Sequence, residues 1–180
     1  SLADLIAEAK ANPGKLNYPS PGVGTFYHLA AELMSSLAGI EMTHVPFRGD
    51  AQVTPALIAG TIDFSISNMG AATKQLRPLA VFGERRHPAI PDVPTVRELG
   101  MPDMPPGLQG LYAPKGLPAP LLARLEQGCA QAVGSAAFRS FALRLNSPPA
   151  YLDAKTFRAR ALADHDWKGK LIRSLGIEPQ

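Results

Sequence analysis

Apolar residues recur along the chain in short blocks with a readable period. Leu2, Leu5, Ile6 and Ala9 follow the 3.6-residue repeat behind Ser1, whose hydroxyl can cap a helix, and Asn12-Pro13-Gly14 stops it. "KLNY" is a short strand candidate. A second helical stripe, Phe26, Leu29, Ala30, Leu33, Met34 and Leu37, ends at Gly39. "EMTHVPF" alternates as a strand does, and "RGD" is the loop after it. "AQVTPALIAG" is predicted as a short helix with Pro55 in its first turn. "TIDFSIS" reads as a strand, "NMGAATKQ" as a short helix and "PLAVFG" as a strand.

Strands alternating with helices over this stretch predict an α/β fold with a parallel or mostly parallel sheet. Prolines and glycines crowd residues 85–107, the best candidate for a linker or a chain crossing. Beyond it "LQGLYAP" is one more strand candidate, with a weaker one at "PAYL". Three helical patterns occupy residues 118–133, residues 135–145 with Ser135 as cap, and residues 154–175. One clear strand and three helices cannot close a sheet core alone, so this tail is expected to belong to a domain whose other strands lie elsewhere.

Composition narrows the function classes. The chain has 180 residues, 46% of them hydrophobic, which is enough for an ordinary core. The net charge of +3 is spread thinly apart from Arg85-Arg86, which describes a solvated surface rather than a nucleic-acid footprint. A single cysteine, Cys129, excludes an internal disulfide and falls in a helical pattern, where it is expected to pack as a small hydrophobe. No apolar run approaches the roughly 18 residues of a membrane span. The chain opens on an amphipathic helix rather than a signal peptide.

Three loops follow predicted strands and run into helices: residues 19–25, 48–51 and 67–70. In open α/β sheets such loops gather at the carboxyl ends of the strands, where ligands bind. Unpaired N–H groups and the positive end of a helix dipole suit a carboxylate or phosphate there. The first loop fits best: Gly22 and Gly24 allow close backbone approach, and Ser20 and Thr25 add hydroxyls. A capped turn without a ligand would use the same residues. The loop lacks the third glycine of a dinucleotide fingerprint, and no phosphate-binding Gly-Lys motif occurs. His28 is expected to pack or cap rather than catalyse, since no nucleophile–base set surrounds it. The four histidines, His28, His44, His87 and His165, lack metal-ligand spacing. Asp50 can cap the next helix, and Arg48 can pair with it or reach an anion. Ser67 and Asn68 serve equally as helix caps or as partners for a small polar ligand. No cofactor, metal or nucleic acid is called for.

Four segments carry a resemblance: "KANPGKLNYPSPGVGTFYHLAAELM", "MTHVPFRGDAQVTPALIAGTIDFSISN", "LRPLAVFGERRHPAIPDVPTVRELGMP" and "GLYAPKGLPAPLLARLEQ". In this order, with "HVPFRG" and Ile90 to Thr95 most diagnostic, they resemble the Bug family. These are the periplasmic substrate receptors of tripartite tricarboxylate transporters, and the chain resembles an N-terminally truncated member. The resemblance implies a periplasmic-binding-protein-like (type II) clamshell of two α/β lobes. Residues 1–104 would be the second lobe with the ligand loops, and residues 105–180 the return segment of the first.

It also implies a periplasmic, non-enzymatic receptor that hands a small organic acid to a membrane permease. The ligand would meet Ser20, Gly22, Val23, Gly24, Thr25 and Phe26, with Gly49, Asp50, Ala51, Ser67 and Asn68 lining the same cleft. Asp50, Ser67, Phe26 and Tyr27 depart from the residues usual at these places. If either aromatic ring faces the cleft, it predicts a ligand with an apolar body rather than a compact polyacid; the alternative is that Phe26 belongs to the buried stripe and only Tyr27 is exposed. A dimer or a partner chain is expected to cover the incomplete first lobe. The competing possibility is the ligand-sensing effector domain of a regulator with the same two-lobed fold.

Overall fold

A computed structural model describes residues 1–68, 75–102, 107–145, 147 and 149–177, with Asp50 described by its backbone alone. The described chain groups into two compact units: residues 1–106 with 168–180, and residues 107–167. No helix among the described residues is long and apolar enough to cross a membrane.

The first unit begins with α1 (Leu2–Ala11), nucleated by a capping box in which Ser1 and Asp4 satisfy each other's amides. Strand β1 (Asn17–Ser20) leads through the glycine-containing turn into α2 (Phe26–Ala38). Gly39 ends α2 in the left-handed conformation, φ 60°. Strand β2 (Thr43–Pro46) follows, then a 3₁₀ turn (Asp50–Gln52) and α3 (Val53–Ile58), with Pro55 in its first turn as expected. β1 and β2 pair in parallel, with Asn17 opposite Thr43 and Ser20 opposite Pro46. Tyr18, Pro19 and Ser20 are buried, as befits a strand covered on both faces. Tyr18 joins Leu2, Ala31, Met34 and Phe64 in the core, so α1, β1, α2 and the segment after α3 close around one centre.

Two predicted strands of this unit are not strands. "TIDFSIS" reaches β1 and makes one rung: the Asp63 amide donates to the Asn17 carbonyl, and the Asn17 amide donates to the Asp63 carboxylate. The ladder stops there for a reason carried by Pro19. Amides of Thr43 and Phe47 donate to Leu16 and Ser20 on one edge of β1, so Asn17 and Pro19 face the other edge. Proline has no N–H to offer the next rung. "PLAVFG" is reduced to a single bridge between Val81 and Thr95. The predicted helix "NMGAATKQ" lies mostly outside the described residues.

The second unit holds α4 (Ala119–Gly134), α5 (Ala136–Arg144) and most of α6 (Ala154–Ser174). Ser135 caps α5 by accepting the Phe138 amide, as its sequence position predicts. "LQGLYAP" and "PAYL" form no strand, because no partner backbone among the described residues meets them. Leu111 and Tyr112 are 64% and 69% exposed, and Ala142 is the one buried apolar residue among the described residues of this unit. Cys129 is half-buried on α4 rather than fully packed.

Gly110 is the position the second unit can least change. A Cβ there would run into Cζ of Phe157, whose ring also meets Tyr112 edge-on at 5.5 Å. Gly110→Ala is expected to displace the Phe157 ring and cost about 1–3 kcal/mol, an overpacking penalty. Urea unfolding of the two proteins measures it, and an unchanged midpoint would show that the ring moves freely.

Candidate functional site

The site is built where β1 gives way to α2. Parallel pairing sends the chain out of β1 and β2 at the same end, and the Phe47 amide donating to the Ser20 carbonyl (2.9 Å) extends the ladder to that point. The loop at residues 21–25 and the loop beginning at Arg48 therefore leave the sheet side by side. Gly24 has φ 76° and Gly49 φ 116°, backbone shapes that glycine adopts without strain. Ala51 and Arg48 are exposed at the second loop. The backbone of Asp50 opens the 3₁₀ turn. Ser67 and Asn68 are also exposed, and no hydrogen bond joins them to either loop among the described residues. The remainder of the third loop, residues 69–70, lies outside those residues.

The first loop is tied together from inside. Ser20 is 1% exposed. Its Oγ donates to the Gly22 carbonyl (2.9 Å), accepts the Gly22 amide (3.2 Å) and lies 2.7 Å from Nε2 of His44. A hydroxyl has one hydrogen, so every contact is met when His44 carries its proton on Nε2. Thr25 Oγ1 donates to the same Gly22 carbonyl at 2.7 Å. Thr25 is the N-cap residue of α2, yet its side chain makes no capping bond. The Gly24 amide donates to Nδ1 of His28 at 3.3 Å. Val23 and Phe26 keep amides without a hydrogen-bond partner among the described residues. Those amides sit at the positive end of a 13-residue helix, where negative charge is stabilised.

A polar layer lies under the loop. The rings of His28 and His44 are 4.4 Å apart, and Tyr18 stacks 5.1 Å from His44. The Tyr18 hydroxyl donates to Oε1 of Glu32, and Nε2 of His28 lies 4.0 Å from the same oxygen. Burial pushes both histidines below the usual imidazole range, and the neighbouring His28 pushes His44 further. Burial and the Glu32 contact push Tyr18 well above the usual phenol range. The layer is thus neutral at pH 7 apart from Glu32. His28 packs inside as expected, but the sequence holds no sign that His44, from β2, would join it.

Phe26 meets Tyr27 edge-on at 5.8 Å and Phe82 edge-on at 6.0 Å, so an aromatic group stands at the helix start. Phe82 was not among the expected site residues, because nothing in "PLAVFG" says which helix it faces. Among the described residues no three His, Cys, Asp or Glu side chains come together as a metal site.

A UPF0065 protein of Bordetella pertussis is 34% identical over 188 residues, covering 100% of this chain and 58% of that protein. Protein BugT of the same organism is 31% identical over 76% of this chain and 44% of its own length. Among solved structures, R. palustris Rpa4515 with adipate superposes at a TM-score of 0.81 with 28% identity, over 100% of this chain and 62% of that one. MatC from Rhodopseudomonas palustris with bound malate superposes at 0.79 with 23% identity, over 95% of this chain and 62% of that one, a likeness of fold. The chain thus spans little more than half the length of the UPF0065 relative, and it carries part of the periplasmic-binding-protein fold. Residues 1–177 match the model of the tripartite tricarboxylate transporter family receptor, and the chain belongs to that family.

Proposed function

We propose that this protein is an extracytoplasmic receptor that captures a small organic carboxylate in the periplasm and delivers it to a tripartite tricarboxylate-type membrane permease. One observation carries the proposal: the β1–α2 loop satisfies its own hydroxyls internally while the Val23 and Phe26 amides have no partner among the described residues. A carboxylate is the guest such a site favours, and a charge-assisted hydrogen bond to an amide contributes about 1.5–3 kcal/mol. Ser20, Gly22, Gly24 and Thr25 shape the loop. Gly49, Asp50, Ala51, Ser67 and Asn68 line the space beside it.

The aromatic group of Phe26, Tyr27 and Phe82 sets the class of acid. It favours an extended acid with an apolar body over a compact polyacid, by about 0.8 kcal/mol for each methylene it covers. The adipate held by the R. palustris relative is such an acid. Calorimetry on the purified protein is expected to show adipate binding at least about tenfold tighter than citrate, the worth of two covered methylenes. Tighter citrate binding overturns the selectivity, and no binding of any mono- or dicarboxylate at millimolar concentration overturns the function.

A further inference from the structure

Packing alone does not require the histidines under the loop. An apolar side chain would fill the same space, and burying imidazole is costly unless its nitrogens are used. One nitrogen of His28 is used in a particular way: Nδ1 accepts the Gly24 amide across one turn of chain. Gly24 is the left-handed residue of the loop, and its amide lies between those of Val23 and Thr25. Where Gly24 points decides where its neighbours point.

We propose that His28 is a positioning residue of the carboxylate site, bracing the loop through the Gly24 amide so that the Val23 and Phe26 amides face the ligand. The inference rests on the carboxylate function proposed above. It requires a neutral His28 with its hydrogen on Nε2, since an imidazolium has donors on both nitrogens and none to accept the amide. Among the described residues, the titratable groups that face His28 are Tyr18 on β1 and His44 on β2, both neutral, and Glu32, one turn further along α2, the charged one. The Glu32 carboxylate favours the imidazolium, but it already accepts the Tyr18 hydroxyl, and burial opposes it more strongly. The brace therefore holds at neutral pH and is lost as the pH falls through the lowered His28 value.

Nitrogen-15 NMR of the ligand-free protein from pH 8 to pH 5 tests the brace directly. His28 is expected as the Nε2–H tautomer, and the Gly24 amide resonance is expected to move with the same midpoint as the His28 ring. Calorimetry with adipate at pH 8 and pH 6, where adipate stays largely ionised, supplies the second readout. His28→Ala is expected to weaken adipate about tenfold at pH 8, the upper end for one lost neutral hydrogen bond. His28→Asn, whose Oδ1 replaces Nδ1 as acceptor, is expected to recover the Gly24 resonance position without any dependence on pH. A His28 ring protonated on Nδ1, or a Gly24 amide indifferent to His28 titration, overturns the inference without needing a variant to fold. An adipate affinity unchanged in His28→Ala also overturns it. If the ligand-free titration behaves as expected and the wild-type protein binds no carboxylate, the brace stands and the carboxylate function falls.

Discussion

Replacing Gly24 with valine is expected to weaken adipate binding by a factor of ten or more while leaving the helices folded. Gly24 has φ 76°, and a β-branched residue in that conformation costs at least about 1–2 kcal/mol. A Cβ at Gly24 would meet no atom within 4 Å, so the penalty comes from the backbone and not from a clash. The chain relieves it by rotating φ negative. That rotation takes the Gly24 amide off His28 and turns the Val23 amide away from the start of α2. Losing one or two charge-assisted bonds of about 1.5–3 kcal/mol lowers affinity by a factor of ten to several hundred or more. Calorimetry with adipate, beside circular dichroism for helix content, separates the outcomes. Unchanged affinity in a folded Gly24→Val protein would remove this loop from the site.

Leu29→Ala is expected to give a large loss of stability, about 2–5 kcal/mol, by opening a cavity behind the site. Leu29 is fully buried on α2, next in the chain to His28 and Ala30, which are buried with it. Urea unfolding should show a lower midpoint with an unchanged slope, the sign of lost native-state stability. A loss under 1 kcal/mol would mean that α2 collapses into the gap and that the core under the loop is looser than its burial indicates.

The helices were legible because their ends and their faces are both local signals. Ser1 with Asp4, Ser135 with Phe138, and Gly39 each announce a boundary, and the structure places the boundaries there. Leu37 is the exception, 52% exposed at the end of a stripe that is otherwise covered. The strands were less legible because a strand is defined by its neighbour. "TIDFSIS" alternates correctly, yet Pro19 on the facing edge cannot complete a ladder with it. The glycine loop was visible as a strand-to-helix connection of small residues. The use of its atoms was not: nothing local says that Ser20 bonds inward to His44, or that His28 takes the Gly24 amide. Those partners lie on different elements and meet only after the sheet has formed. Phe82 escaped notice for the same reason.

Parallel pairing of β1 with β2 carries a kinetic consequence. The two strands cannot meet through a tight hairpin; the chain between them must first cross over as α2. Closing that long connection precedes the reward of pairing. The glycine loop, His28 and His44 therefore come together only once that connection has closed. A carboxylate that binds the completed loop and not the open chain draws that closure forward by mass action. The cargo would then act as a folding partner for the segment that holds it.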